Sequence, residues 1–419
     1  AGTGKSFLLR GIIAALEARD GGAGSVAITA STGIAASHIG GQTIHSWAGI
    51  GLGKGDVAKL VAKVCANAAA VSRWRRARVL VVDEVSMLDG ALFGILEAIG
   101  REVRGSAAPF GGLQLVLCGD FFQLPPVSLS WAGFAFASAA WAACRVHTHV
   151  LHEVVRQQGD GAFIALLNEV RVGLCSDDTT RALGACHVAV KPRPTDGILP
   201  TRLYCTNKDV DAENATHLAA LPGAAVPFGA TDVVKREPAS ADGLKRLQEA
   251  LDKKAARHLD LKVGAQVMLT KNWPEQELVN GSRGVVVSFD RRRVDPSADR
   301  LSFGVPPGEY GCALVRFDSG RTVVVKPVST FQALDGGALA RTQLPLKLAW
   351  ALTVHKSQGM TLSRCELLLE DAFAHGQAYV ALSRVTSLAG LWLSGGAITQ
   401  AVVKAHPAVI EFYRAFGGV

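Results

Sequence analysis

Three residues near the start of the chain, Gly4, Lys5 and Ser6, have the types and spacing to bind a polyphosphate. They fit the last three positions of the pattern G-x-x-x-x-G-K-[ST], whose first glycine would lie two residues before Ala1. In Ala1-Gly2-Thr3-Gly4 the glycines let backbone N–H groups close around phosphate oxygens, at dihedral angles a Cβ would obstruct. An ammonium at Lys5 suits the β- and γ-phosphates, and a hydroxyl at Ser6 suits Mg²⁺. Gly2, Thr3, Gly4, Lys5 and Ser6 are thus candidate nucleotide-binding residues, with ATP and Mg²⁺ as the implied cofactors. A second stretch, Val79-Leu80-Val81-Val82, runs into Asp83-Glu84. The first carboxylate at such a strand end can orient Mg²⁺, and the second can activate water. A third, Gln114 to Cys118, ends in Gly119-Asp120-Phe121-Phe122-Gln123-Leu124-Pro125-Pro126-Val127. Gln123 can donate to a γ-phosphate and accept from a water, so it can report whether ATP is intact. Taken singly, the first could be an ordinary glycine-rich segment and the second an acidic surface turn; their ordered combination favours a phosphate-loop ATPase.

The elements that must hold these groups follow from the pattern. Phe7, Leu8, Ile12, Ile13 and Leu16 lie at helical spacing, so the phosphate loop opens a helix whose positive end faces the phosphates. Asp20 to Gly24 reads as a turn and Ser25 to Thr29 as a short buried strand. Three buried strands that deliver polar groups to their C-terminal ends describe a doubly wound α/β sheet, which binds ligands at that edge. Ala30 to Gly51 is rich in small residues, hydroxyls and glycines, as in a loop that a ligand approaches closely; His45 and Trp47 near its end could touch a base or simply pack. Arg73, Arg75, Arg76 and Arg78 read as a solvated helix end rather than a nucleic-acid patch.

The 419 residues exceed what one core normally holds, so two or three domains are expected. With 49% hydrophobic and 19% charged residues the chain is globular and not disordered. A net charge of +8 and a pI near 9.1 suit a polyanion partner without requiring one. The eight cysteines contain no C-x-x-C pair, which signals neither zinc nor an iron–sulfur cluster, and several lie in apolar runs as reduced core thiols do. That usage favours an intracellular compartment. The least polar long stretch, Ser130 to Cys144, is too short to span a membrane.

Together, A-G-T-G-K-S, A-S-T-G-I-A-A, V-V-D-E-V-S-M-L and G-D-F-F-Q-L-P-P-V resemble the Pif-type (petite integration frequency) DNA helicases of superfamily one, near the RecD-like helicases. The resemblance continues in order: Val155-Arg156-Gln157 with Asp160 to Gly173, then Leu261 to Leu269 with Leu278 to Val287. It ends with H-K-S-Q-G within Leu346 to Leu362 and with G-Q-A-Y-V-A-L-S-R from Gly376 to Arg384. It implies two RecA-like P-loop NTPase domains, residues 1–150 and residues 151–268 with 341–419, and an inserted SH3-like β-barrel at 269–340. The insert also reads as all-β from Arg283 to Phe289, Cys312 to Phe317 and Arg321 to Val325, with a charged loop from Asp290 to Pro307.

By the same resemblance the second domain supplies Arg156 and Arg384 to the γ-phosphate, with Gln377 near the phosphates; a planar cation there has the chemistry of an arginine finger. It places single-stranded DNA on Ser31, Thr32, Gly33, His45 and Trp47 of the first domain and on His355, Lys356, Ser357 and Gln358 of the second. Hydroxyls, amides and Lys bind phosphates and His and Trp stack on bases, so binding should be sequence-tolerant. The implied protein is a monomeric motor that moves 5′-to-3′ on single-stranded and forked DNA in repair, recombination and telomere maintenance. Its implied place is the nucleus or mitochondrion if the source is eukaryotic, with no membrane partner. Two alternatives stay open: the helicase part of a Helitron-type transposase, and a non-catalytic nucleic-acid-binding remnant.

Overall fold

The computed structural model describes residues 1–20, 24–51, 53, 55–126, 133–205, 210–238, 241–252, 254–294, 305, 308–334, 337–368 and 374–417. The chain divides into two compact units. Ala1–Val155, Ala374–Gly376 and Ala405–Val419 form the first, and Arg156–Phe373 with Gln377–Lys404 the second.

The first unit opens with α1 (Lys5–Asp20), β1 (Val26–Ala30), α2 (Gly33–His38), β2 (Gln42–Thr43) and α3 (Ile44–Ala48). It continues through α4 (Val57–Cys65), α5 (Ala68–Arg76), β3 (Val79–Asp83), α6 (Gly90–Arg104), β4 (Gln114–Leu117) and α7 (Ala139–Cys144). Its sheet runs β2-β1-β3-β4 with every neighbouring pair parallel. All of β3 is buried, as a central parallel strand covered on both faces must be. Leu9, Ile13 and Leu16 of α1 pack on Val26, Ala30, Val79 and Val81, with Ile12 partly buried beside them; Phe7 and Leu8, which the helical spacing also counted, are exposed, so the buried stripe is set by Leu9 instead. The register Ala30↔Asp83 and Val82↔Leu117 brings the C-terminal ends of β1, β3 and β4 to one edge.

The stretch expected as a loop, Ala30 to Gly51, instead holds α2, β2 and α3. Threonines explain the difference: the Thr32 hydroxyl accepts from the Ala35 N–H, and that of Thr43 from the Ser46 N–H, each capping a helix. The Arg73 side chain donates to the Trp47 and Ser46 carbonyls and Arg75 to the Val103 carbonyl, so these two cations seal helix ends rather than face solvent alone.

The second unit contains α8 (Gly161–Arg171), α9 (Asp177–Gly184), β5 (Thr201–Tyr204), α10 (Val210–Ala220), β6 (Val226–Gly229), β7 (Thr231–Arg236) and α11 (Ala241–Asp252). Then come β8 (His258–Leu261), β9 (Gln266–Leu269), β10 (Arg283–Val294), β11 (Gly308–Phe317), β12 (Thr322–Val325), β13 (Val328–Leu334), β14 (Gly337–Gln343) and β15 (Leu346–Leu348). It closes with β16 (Ala351–Thr353), α12 (Val354–Ser357), β17 (Cys365–Leu368), α13 (Gln377–Leu382) and β18 (Leu391–Ser394). A second parallel sheet runs β16-β5-β17-β18. The expected α/β class, with two separate parallel sheets flanked by helices, is therefore the fold.

The β-rich region is antiparallel, in sheets β12-β11-β10-β9-β15, β13-β14-β7 and β6-β8. Val267, Leu269, Val286, Ala313, Val315, Phe317 and Val325 form its core. Among the described residues no ladder joins β12 to β15, so the described strands do not by themselves show the closure expected of an SH3-like barrel. The antiparallel part also begins earlier than residue 269: 224–242, which carries no sequence signal of function, supplies β6, β7 and the start of α11. Arg341 ties these pieces together, buried and bonded to Asp232 and Asp252. β10 extends through Val294 into the stretch expected as a charged loop; residues 295–304, 306 and 307 of that stretch lie outside the described residues.

The last helix, α14 (Pro407–Arg414), belongs to the first unit, although residues 341–419 were expected in the second domain. Aromatic packing is the reason. Phe412 stacks on Phe136 at 4.4 Å, and Phe121 packs edge-on against both. Cys186, Cys205, Cys312 and Cys365 are buried as expected of core thiols, whereas Cys65 is exposed. Among the described residues no helix is long and apolar enough to cross a membrane.

Candidate nucleotide site and nucleic-acid interface

The phosphate loop sits at the N-terminus of α1. Gly2 and Gly4 both have φ of 77°, a left-handed angle that brings neighbouring N–H groups towards one concavity. A Cβ built on Gly4 would meet nothing within 4 Å, so the space before the loop is open. The Gly4 carbonyl accepts from the Phe7 and Leu8 N–H groups at 3.0 Å, which starts the helix directly behind Lys5 and Ser6.

Asp83 ends β3 with 5% of its surface exposed. Burial pushes its carboxyl above the usual range, opposed by the Glu84 N–H, Cys118, Lys5 and His38. Lys5 and Asp83, far apart in the sequence, are thus near enough for their charges to interact. A buried carboxylate beside a helix N-terminus that carries Ser6 is a hard oxygen donor set, which fits Mg²⁺ with water and phosphate oxygens completing the shell. Glu84 is left-handed at φ 53° and ψ 48°, which turns the chain sharply off the strand. Its N–H donates to Asp83 Oδ1 at 2.9 Å and its carbonyl accepts from the Met87 N–H at 3.1 Å. The neighbouring Cys118 thiol is pushed up by burial and by Asp83, so it stays protonated.

Gln123 is 5% exposed, and its N–H donates to the Asp120 carbonyl at 2.9 Å. Two contacts not foreseen from the sequence hold this loop. Tyr413 Oη accepts from the Phe121 N–H at 3.2 Å while its ring stacks on Phe122 at 5.0 Å. On the carbonyl side lies Gly376, φ +74°, where a Cβ would come within 2.3 Å of the Phe122 oxygen and 2.8 Å of the Gln123 oxygen. Gly376 carried a signal, since it opens the quoted G-Q-A-Y-V-A-L-S-R stretch; Tyr413 carried none.

In the second unit the two predicted arginines meet at one turn. Arg156 Nη1 donates to the Ser383 carbonyl at 2.9 Å, and Arg384 Nη2 donates to the Ser383 hydroxyl at 2.8 Å. Arg384 is 1% exposed and its Nε returns to the Val380 carbonyl, so the guanidinium lies folded on the end of α13. Gln157 Nε2 holds the Val385 carbonyl at 2.7 Å beside them. Gln377, at the start of the same helix, is fully buried and donates to the Cys205 carbonyl.

The candidate DNA residues divide. Thr32, Gly33 and His45 are partly exposed, and a Cβ on Gly33 would meet nothing within 4 Å. The Ser31 hydroxyl instead points inward, donating to the Glu84 carbonyl at 2.9 Å. Trp47 is 4% exposed and packs on Trp74 with ring centroids 4.4 Å apart, so core packing claims the ring that was expected to stack on bases. Ser357 is fully buried and spends its hydroxyl on the Val354 carbonyl, and Gln358 is 8% exposed. His355 is half-buried, while the Lys356 side chain lies outside the described residues. Burial pulls His45 and His355 below the ordinary imidazole range, so both are neutral at pH 7 and suited to stacking or hydrogen bonding rather than charge pairing.

Comparison with known proteins gives the family. The PIF1-like helicase family matches residues 1–181, and the 2B domain of DNA helicase Pif1 matches residues 250–289. The ATP-dependent DNA helicase PIF1 of Danio rerio is 43% identical over 423 aligned residues, covering 99% of this chain. This chain spans 60% of that relative's length. Among solved structures, the Pif1 helicase from Candida albicans aligns at TM-score 0.73 and 41% identity, covering 99% of this chain and 94% of that one. A Bacteroides Pif1 helicase solved with ADP-AlF3 and single-stranded DNA aligns at TM-score 0.60 and 26% identity, covering 100% and 92%. Sequence and fold therefore agree along nearly the whole chain, and the protein belongs to the PIF1-like helicase family.

Proposed function

We propose that the protein is an ATP-dependent DNA helicase that uses ATP hydrolysis to move along single-stranded DNA, 5′-to-3′, and to unwind forked duplexes. One observation carries the reading. The C-terminal edge of a single parallel sheet presents Asp83 and Glu84 beside the phosphate loop that carries Lys5 and Ser6, with the Gln123 loop leaving the same edge. Lys5 and the loop N–H groups bind the triphosphate, and Ser6 and Asp83 hold Mg²⁺, which when bound neutralises charge on the phosphate oxygens. Glu84 takes the proton of the attacking water, and Gln123 bonds to the γ-phosphate and that water. Arg156 and Arg384 are the cations for the transferred phosphoryl group. Thr32, Gly33, His45 and His355 contact the strand. The protein acts in repair, recombination and telomere maintenance, in the nucleus or mitochondrion of a eukaryote, and as a monomer on each strand it tracks.

The test is ATP hydrolysis by the full-length protein with and without single-stranded DNA, beside Lys5→Ala. DNA should stimulate hydrolysis strongly, and Lys5→Ala should lower it by about 10²-fold or more. Unstimulated hydrolysis, or equal rates in Lys5→Ala, would remove the motor assignment.

A further inference from the structure

Ser31 stands at the junction of the two proposed sites. It follows β1 directly, and the parallel ladder between β1 and β3 carries one step past Ala30↔Asp83, with the Ser31 N–H donating to the Asp83 carbonyl at 3.2 Å. The Ser31 hydroxyl then takes the next carbonyl, that of Glu84, at 2.9 Å. That carbonyl also accepts from the Met87 N–H at 3.1 Å. Two donors, the Ser31 hydroxyl and the Met87 N–H, thus hold the peptide plane that follows Glu84. This matters because Glu84 is left-handed, an angle residues with a Cβ rarely adopt without support. The plane and the φ together set the direction of the Glu84 Cα–Cβ bond, the base from which its carboxylate extends. After Ser31 come Thr32 and Gly33, both partly exposed; Thr32 caps α2, which ties this short segment to that helix.

We propose that Ser31 is a positioning residue for Glu84, which links single-stranded DNA on Thr32 and Gly33 to the orientation of the carboxylate that activates water. It does so by a hydrogen bond to the Glu84 carbonyl and not by contact with DNA. The inference rests on the reading of Glu84 as the base and of Thr32-Gly33 as a DNA contact. A strand that fixes the loop fixes the Ser31 hydroxyl, and a loop free to shift releases the Glu84 peptide, so DNA-stimulated hydrolysis has a local cause.

The experiment measures three quantities for Ser31→Ala and Ser31→Thr in the full-length protein: kcat for ATP at saturating oligo-dT, KM for ATP, and Kd for oligo-dT by fluorescence anisotropy. Glu84→Gln is the control. Ser31→Ala should lower kcat about tenfold, the effect of one hydrogen bond on a transition state, with KM and Kd within about twofold. Ser31→Thr keeps the hydroxyl and should recover at least about half of the rate. A tenfold weaker Kd with unchanged saturated kcat would make Ser31 a phosphate contact and overturn the proposal. So would an unchanged kcat in Ser31→Ala, or an equal loss in Ser31→Thr, which would mark packing instead of a hydrogen bond. If Glu84→Gln hydrolysed ATP at the unsubstituted rate, the assignment of Glu84 itself would fall, and the inference with it.

Discussion

Asp83 shows what a buried carboxylate, here the proposed Mg²⁺ ligand, costs its fold. Its carboxylate is ionised only against the burial that raises its pKa, and in the absence of a cation Lys5 and one N–H offset part of that penalty. The sign follows from linkage. A folded pKa above the unfolded value means the folded state favours the neutral acid, so this group's favourable contribution is complete below the unfolded pKa and is lost as pH rises through the folded one. At pH 7 the ionised form is therefore destabilising. Asp83→Asn, which keeps an oxygen to accept from the Glu84 N–H, should raise Tm by about 2 °C in metal-free buffer, on the order of 1 kcal/mol. The same substitution should abolish Mg²⁺-dependent hydrolysis. An ATPase assay checks the loss of hydrolysis, and a thermal melt with and without Mg²⁺ checks the rest: the cation should stabilise the unsubstituted protein and leave Asp83→Asn unmoved, and a lower metal-free Tm in Asp83→Asn would contradict this account of the site.

At the scale of elements, the segments that return late in the chain are the ones that brace the Gln123 loop. α14 presents Tyr413 to the Phe121 N–H and Phe412 to Phe121 and Phe136, and Gly376 fits against the loop's carbonyls. Tyr413 and Phe121 are 7% and 5% exposed, so a lost partner at this amide is not replaced freely by water. Tyr413→Phe removes one hydroxyl and retains the stack on Phe122. It should destabilise the first unit by about 1 kcal/mol and lower its Tm by about 2 °C. Hydrogen exchange offers the sharper check, since the Phe121 amide should lose protection while amides of β3 keep theirs. Equal protection of Phe121 in both proteins would mean that the hydroxyl does not hold the loop.

On the scale of the whole molecule the chain passes between its units four times, after residues 155, 373, 376 and 404. Each unit has its own parallel sheet, and the first is completed by two segments from a distant part of the sequence. The proposed motor needs both units, and directionality belongs to the molecule rather than to any residue. Strand displacement on forked duplexes with a single 5′ or 3′ tail should proceed from the 5′ tail only, and should fail in Lys5→Ala. Unwinding from the 3′ tail would reverse the proposed polarity and leave the ATP site as described. The net charge of +8 adds a condition, because phosphate contacts made by Lys and Arg release counterions and weaken with salt; the assay belongs at fixed ionic strength.

The sequence by itself determined which residue types meet at the proposed nucleotide site. Glycines at left-handed positions, a lysine and a hydroxyl at a helix start, and acids after a buried strand are each required locally, by backbone sterics or by the charge of phosphate. The helix α1, the parallel sheet of the first unit and the local order of Gly2, Gly4, Lys5, Ser6, Asp83, Glu84 and Gln123 were legible for the same reason, whereas the second parallel sheet was expected only from the family resemblance. Helices α2 and α3 were obscured because their threonine caps read equally well as loop residues. What only the tertiary structure decided is the use of groups whose type permits two roles. A tryptophan in a glycine-rich stretch can stack on a base or on another tryptophan, and Trp74, 27 residues later by subtraction, settled that for Trp47. A serine hydroxyl can face a phosphate or a carbonyl, and the parallel pairing of β1 with β3 turned Ser31 towards Glu84. The home of α14 was hidden likewise, because aromatic rings specify burial but not the partner that provides it. Local sterics and charge can be read from adjacent residues; the choice between equivalent partners depends on which distant surfaces the fold brings together.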